Sequence, residues 1–404
     1  MGGYDMIDKE LKTKKDCMGC HACTNICPKN CISMVSDQEG FLYPTVDYSL
    51  CIKCNKCVNV CPIINKVEVN NNPTAYSCIN NDETIRLDSS SGGIFTLAAE
   101  KVIAQGGAVF GAGFNDEFEV EHSFVETKEK LSQIRGSKYV QSKIGDSYKK
   151  VKEFLDLERE VLFTGTPCQI AGLYSYLGKS YNNLLTIDII CHGVPSPEVW
   201  RKYVEFRETE AGAAAQRIAF RRKDEGWKLF SVSFLFENNT EYRQNLRKDL
   251  YMRAFLKDVC LRPSCYDCNF KGLNRQSDIT LADFWGIQNV LPDMDDDKGT
   301  SLIFVNSKNG QEIFNSISCG IKFKEVDINE AVKYNPSAIK SVSKNPNRDY
   351  FFAELNNLEF NQLVNKYCTD KLDTRIKNKV KAILRGILNK IGLLGIVKRI
   401  AGRS

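Results

Sequence analysis

A chain of 404 residues, 43% of them hydrophobic and 26% charged, can bury a sizeable core and divides on length into two or three domains. Its 17 cysteines are an odd number behind a polar N-terminal stretch with no apolar h-region, which argues against a secreted disulfide framework and for metal ligands in a reducing cytosol. The net charge of +5 is uneven: of 55 basic and 50 acidic residues, ten and one fall in residues 371–404, leaving 45 and 49, a net of −4, for the first 370.

Residues 1–66 are predicted to form a small α+β domain on two runs of the pattern C-x2-C-x2-C-x3-C-P. These are Cys17, Cys20, Cys23, Cys27 and Pro28, then Cys51, Cys54, Cys57, Cys61 and Pro62. Zinc sites usually pair two separated C-x2-C units, whereas three cysteines in one tight loop with a fourth before proline is the bacterial ferredoxin pattern for 4Fe-4S clusters. The short loop wraps three corners of a cubane, and the fourth cysteine reaches the other cluster. Cys17, Cys20, Cys23 and Cys61 are therefore assigned to one cluster, and Cys51, Cys54, Cys57 and Cys27 to its partner. Cys31 is expected to pack as a small buried hydrophobe and His21 to sit exposed in its loop.

The polar residues 67–73 lack apolar periodicity and read as a linker. Short β-rich runs then alternate with helical ones through 74–155 and 156–330, which predicts an α/β domain with a mostly parallel sheet. "AVFGAGF" reads as a strand, and "EVLFTGTPCQIAGLYSYL" as strand, turn and helix with Pro167 in the first helical turn. "LLTIDIICHGVPSPEVW" repeats that form, with Ser196 as N-cap and Pro197 at N1. "RIAFRRKDEGWKLFSVSFLFENNTEYR" breaks the alternation as an antiparallel hairpin insertion, and "SDITLADFWGI" restores it. The words "GTPCQ", "CHGVPSP" and "DFWG" follow predicted strands, and in open α/β sheets ligands bind at the carboxyl ends of strands, so these loops should converge on one site.

The words "SSSGGIF", "RGSKYVQS", "FTGTPCQIAGL", "DIICHGVPSP", "LRPSCYDCNFK" and "SDITLADFWGI" resemble the beta subunit of the coenzyme F(420)-reducing hydrogenases and dehydrogenases. The resemblance spans roughly residues 74 to 330, with the ferredoxin module fused in front. It implies an α/β flavoprotein that holds FAD and a third 4Fe-4S cluster, and that passes electrons between clusters and a hydride-exchanging small molecule or a redox partner such as ferredoxin. Cys168, Cys191, Cys265 and Cys268 match the family's cluster ligands, with Cys260 as an alternative to Cys168 or Cys191. Cys78, Cys319 and Cys368 lack any motif and read as buried thiols. For the flavin, the resemblance points to Ser91, Gly92 and Gly93 at a helix N-terminus suited to a pyrophosphate. It also points to Arg135, Lys138, Tyr139 and Gln141, to Gly165, Thr166 and Pro167, and to Asp283 and Trp285, although Trp285 reads equally as core. His192 is a candidate proton donor or a structural neighbour of the cluster. The other class of function open to such a chain is a non-catalytic electron carrier or adaptor subunit.

Residues 331–404 are expected to form a helical tail, amphipathic and basic from 371. Ile376, Val380, Ile383, Ile387, Ile391 and Leu394 recur at spacings of three and four, opposite a basic face. The segment lacks the aromatic platforms of a nucleic-acid binder and the ~20 apolar residues of a bilayer span. It is read as a peripheral contact with an anionic inner-membrane face or an acidic protein, or as a helix docked on the acidic body. A chain ending at Asp370 is expected to lose sedimentation with anionic vesicles at low salt, which the full chain should show. Equal sedimentation of both would exclude the membrane contact.

Overall fold

The computed structural model describes residues 6–369, so the basic amphipathic segment predicted from 371 lies outside the described residues. In the N-terminal module, β1 (Ile32–Ser36) and β2 (Leu42–Val46) pair antiparallel between the short helices Ala22–Ile26 and Lys56–Asn59. Each cysteine run turns through left-handed backbone at the same two positions, Gly19 and His21 in the first (φ 71° and 61°), Lys53 and Asn55 in the second (φ 53° and 60°). These turns fold each C-x2-C-x2-C loop back on itself.

The chain then lays down β3 (Thr74–Asn80), β4 (Ala108–Phe114), β5 (Val120–Val125), β6 (Val161–Gly165) and β7 (Leu184–Ile189). The insertion β8 (Ala215–Arg222), β9 (Ser231–Phe236) and β10 (Glu241–Asn245) forms a separate three-stranded antiparallel sheet in place of the predicted hairpin. β11 (Ile279–Asp283), β12 (Ser301–Val305) and β13 (Ile321–Val326) complete the main sheet, in the order β13-β3-β12-β11-β7-β6-β4-β5.

The four central strands β11, β7, β6 and β4 are parallel, and every pairing outside them is antiparallel. The sheet expected to be mostly parallel is therefore mixed. At one margin the reason is local: residues 115–119 between β4 and β5 suffice for a hairpin but not for a crossover. At the other, β3 inserts between β12 and β13, two strands more than two hundred residues later in the chain.

Both faces of the sheet are covered, as a parallel centre requires. Ala108, Phe110, Val161 and Phe163 point to one face, under the helices Ser147–Asp156 and Pro167–Leu177 and the N-terminal module. Val109, Leu162, Leu185 and Ile187 point to the other, under Ile94–Ala104 and Lys308–Ile317. A third, aromatic core joins the helix Pro197–Ala211 to the insertion through Trp200, Tyr203, Phe220 and Phe234. The helices Arg348–Ala353 and Phe360–Tyr367 send Phe351, Leu363 and Val364 into this same core. Residues 331–369, expected to begin a tail, are thus packed into the body.

Arg262 joins the module to that body. Its side chain is fully buried and donates from Nε to the Cys17 carbonyl (2.8 Å), from Nη1 to Gln141 Oε1 (2.9 Å) and from Nη2 to the Leu42 carbonyl (2.9 Å). Gln141 in turn donates from Nε2 to the Met18 carbonyl at 3.0 Å. Gly19 lies so close that a Cβ there would sit 2.6 Å from Gln141 Nε2. On the module's far side, Arg348 grips Glu39 through both carboxylate oxygens and donates to the Leu261 carbonyl.

Arg262→Met should strand two carbonyls and an amide oxygen, at a cost of about 3–5 kcal/mol. Arg262→Lys should recover only part, since one ammonium cannot reproduce the planar fork. Denaturation of the anaerobic protein measures both, and an unchanged midpoint for the methionine variant would show the contact to be dispensable.

Candidate functional site

The loops at the carboxyl ends of β6 and β7 carry the first group of candidate ligands. Cys168 stands in the first turn of Pro167–Leu177, which Thr166 and Gln169 cap reciprocally, and Cys191 lies just beyond β7. Cys265 sits in the 3-10 turn Pro263–Asp267 and Cys268 caps it. All four line one cavity, together with Pro167, His192 and Lys271. The Val194 N–H donates to Cys265 Sγ at 3.4 Å, and Thr166 Oγ1 is 3.1 Å from Cys168 Sγ. Burial pushes the Cys191 thiol up to about 12 and the Cys265 thiol up to about 11, so each needs a cationic centre to persist as a thiolate. Cys260, the alternative, is wholly buried in the aromatic core and stands outside this cavity.

In the N-terminal module, Cys17, Cys20, Cys23 and Cys61 line one cavity, and Cys27, Cys51, Cys54 and Cys57 line another. The fourth cysteine of each run thus meets the other run's first three. Cys31 is buried as expected, but it lines the second cavity with its Sγ 3.4 Å from that of Cys27. His21, expected to be exposed, is buried, because the first run is the one pressed against the body; burial pulls its imidazole down to about 3. Cys78 and Cys368 are buried, whereas Cys319 is exposed. Each set of thiols surrounds a cavity; among the described residues no three His, Cys, Asp or Glu side chains close around a single ion. A donor set of this kind fits a multi-iron cluster.

Three of the cavities adjoin. Met18 and Ile63 line both the Cys168 cavity and the Cys17 cavity. Helix Pro167–Leu177 approaches the first run so closely that a Cβ on Gly172 would lie 2.9 Å from Cys20 Cβ. On the other side, Cys191, His192, Gly193 and Val194 also line a much larger cavity of about 490 Å³, within the range that holds cofactors.

Ser91, Gly93, Arg135, Lys138, Tyr139, Gly165, Thr166, His192, Asp283 and Trp285 all line this larger cavity. Three predicted residues do not. Gly92 is walled in, since a Cβ would sit 2.5 Å from the Cys78 carbonyl; Gln141 is spent on Arg262; and Pro167 faces the Cys168 cavity. Asp283 accepts both terminal nitrogens of buried Arg221 (2.7 and 3.1 Å) and the Trp227 indole N–H (2.9 Å), so its charge is already used. Trp285 stacks on Trp227, with ring centroids 4.9 Å apart. Lys138 is the contrast: among the described residues it reaches only the Arg135 and Gln133 carbonyls, and desolvation pulls it down to about 7. Beside it, Arg135 Nε is buried without a hydrogen-bond partner among the described residues. A half-buried lysine and an orphaned guanidinium N–H fit an anionic group such as a pyrophosphate.

Sequence reasoning missed His122, Ser142 and Gln169. The His122 Nε2 is 2.9 Å from the Thr164 carbonyl, which can only accept, so Nε2 carries the proton and Nδ1 accepts from Ser142 Oγ at 2.9 Å. Gln169 Nε2 donates to the same Ser142 Oγ at 2.9 Å. No motif announces a histidine alternating along an edge strand. The insertion also contributes unannounced wall through Phe230, and the segment after it through Leu246 and, from the helix Leu250–Leu256, Met252 and Phe255.

A family model for the C terminus of the coenzyme F(420) hydrogenase/dehydrogenase beta subunit matches residues 158–331, and one described as 4Fe-4S dicluster domain matches residues 16–64. The two matches lie in one chain, the dicluster match ahead of the beta-subunit match. No curated protein matches it. Among solved structures, a chain of the xenon-derivatised F(420)-reducing NiFe hydrogenase complex from Methanosarcina barkeri is similar at 17% identity, over 69% of this chain and 97% of that one, with a TM-score of 0.45.

Burial lowers the His122 imidazole to about 4, so the native state refuses a proton that the unfolded chain takes up below about 6.5. Stability through this residue is full above that value and falls as pH drops toward 4, by about 3 kcal/mol. With three histidines in the chain, nitrogen NMR of labelled imidazoles should show one ring held as the Nε2–H tautomer down to pH 5. A ring that titrates near 6.5 at this position would contradict the buried network.

Proposed function

We propose that the chain is an iron–sulfur flavoprotein oxidoreductase that exchanges a hydride between a small molecule and FAD, and single electrons through three 4Fe-4S clusters. The observation that supports this reading is that the Cys17, Cys168 and large cavities share lining residues in series, with a further cavity walled by Cys27, Cys51, Cys54 and Cys57 in the same N-terminal module. FAD, when bound, would supply the conversion between a two-electron hydride step and single electrons.

The chain's own residues divide the remaining work. Lys138 and Arg135 neutralise the phosphates of the cofactor, on a loop that Ser90 steadies by accepting the Ser137 N–H at 2.7 Å. Ser91 and Gly93 offer backbone at the start of Ile94–Ala104. Tyr139 and Asp283 hold Arg221 rather than the ligand, which keeps the pocket rigid and leaves Lys138 as its uncompensated cation. His192, with Nε2 2.6 Å from Asp258 Oδ1, stands between the Cys168 set and the large cavity and can hold a proton there. Cys168, Cys191, Cys265 and Cys268 hold the third cluster, and a redox partner protein meets the N-terminal pair.

Anaerobic protein should carry about twelve iron and twelve sulfide and release about one FAD per chain. Cys265→Ser should remove about four iron, while Cys31→Ser should remove none. Arg135→Ala and Lys138→Ala should weaken FAD retention more than Lys128→Ala. Iron without flavin would replace this reading with that of an electron carrier.

A further inference from the structure

The two cysteine runs are near copies, yet the fold uses them differently. In the first, Met18 is 7% exposed, Cys20 is buried, and the loop is clamped to the body by Gln141 and Arg262. In the second, the matching Ile52 is 57% exposed, its neighbour Leu50 is 55% exposed, and Cys54, the match of Cys20, is exposed. The surface that docks one repeat onto this chain is repeated, open, on the other.

Charge distinguishes the open copy. Lys29, Lys53 and Lys56 are exposed around Cys54, and among the described residues none of them has an ion pair or side-chain hydrogen bond. Lys29 and Lys56 line the Cys51 cavity itself. Lys53 takes the left-handed conformation (φ 53°) that Gly19 takes in the first run (φ 71°). Glycine adopts that backbone freely and lysine at a cost of about 1 kcal/mol, so the second repeat keeps a strained cation where the first does without one. The first 370 residues are net acidic, which makes a basic rim around two exposed aliphatic side chains a local departure.

We infer that this face, Leu50, Ile52 and Cys54 ringed by Lys29, Lys53 and Lys56, is the docking site of an acidic one-electron carrier protein. The aliphatic pair forms the dry centre of the contact and the lysines steer an acidic partner onto it. Each encounter moves one electron, oxidising the carrier's centre and reducing the chain or the reverse, with no bond made or broken. The inference rests on the iron–sulfur part of the proposed function and not on FAD.

The test uses the full anaerobic chain with an acidic bacterial two-cluster ferredoxin as probe, and reads both the association constant and the rate of iron–sulfur bleaching by reduced probe. Lys29→Glu/Lys53→Glu/Lys56→Glu should weaken association and slow bleaching by about tenfold or more at low ionic strength, with the difference closing near ~1 M salt. Lys53→Gly, whose backbone the first repeat already accommodates, should fold normally and lose about threefold in association. Lys308→Glu, 93% exposed and remote from this face, should match the parent. Dithionite should bleach all variants alike. A triple variant that associates and bleaches like the parent, or a Lys308→Glu variant equally slowed, overturns the docking site. Protein that holds iron but no flavin and still shows the lysine dependence would sink the FAD reading and leave the docking site standing.

Discussion

A single buried guanidinium decides how this molecule works as one piece. Arg262 has no carboxylate among its hydrogen-bond partners; it is satisfied by two carbonyls and one side-chain amide, all on or beside the first cysteine run. Desolvating a charge is costly, and the fold offsets it by lodging the group between Tyr43, 4.3 Å from its carbon, and three acceptors in its own plane. The same residue gives its backbone N–H to the Val194 carbonyl and takes the Cys265 N–H on its own carbonyl. One residue therefore ties the Cys17 loop, the Cys191 loop and the Cys265 turn to a common frame. The adjacency of the Cys17 cavity, the Cys168 cavity and the large cavity follows from that.

Electrostatic economy shapes the large cavity in the same way. Arg221 is buried more deeply than Lys138 is, but it is neutralised by Asp283, shielded by Tyr139 and stacked over Phe230 at 3.9 Å. Lys138 is left with carbonyl dipoles alone. Two cations near one cavity thus have different meanings: one organises the wall, and the other faces the space. The distinction is invisible in the sequence, because it depends on a salt bridge between Arg221 on β8 and Asp283 on β11, strands of two different sheets that only the tertiary fold brings together.

Several features are legible because their causes are local. A C-x2-C-x2-C loop can do little else than wrap a cluster, and the proline after the fourth cysteine sends it across to the opposite cavity, where Cys27 and Cys61 are found. Strand, turn and helix around Cys168 and Ser196 follow from β-rich runs, a proline at the first helical position and a capping side chain. The insertion, by contrast, reads as a hairpin because "RRKDEGWKLF" breaks its pattern near the middle. The third strand, β10, is Glu241–Asn245, a polar run that pairs with β9 while none of its residues is fully buried.

Spacing within about twenty residues is enough to set the ligand chemistry, the α/β alternation and the order of the loops that meet at the strand ends, so these are written in the chain itself. Which of those residues are free to act depends instead on long-range packing. Gln141 and Asp283 carry the right chemistry but are consumed by contacts from residues 50 or more positions away, Gly92 is walled in by Cys78 and Ser301, and His122 enters the site from a segment with no motif. Packing also makes the first of two equivalent cysteine runs covered and the second open. Within the runs only Gly19 against Lys53 bears on that difference, since a Cβ at Gly19 would meet Gln141; the contact itself comes from Gln141 and Arg262, which reach the carbonyls of the first copy.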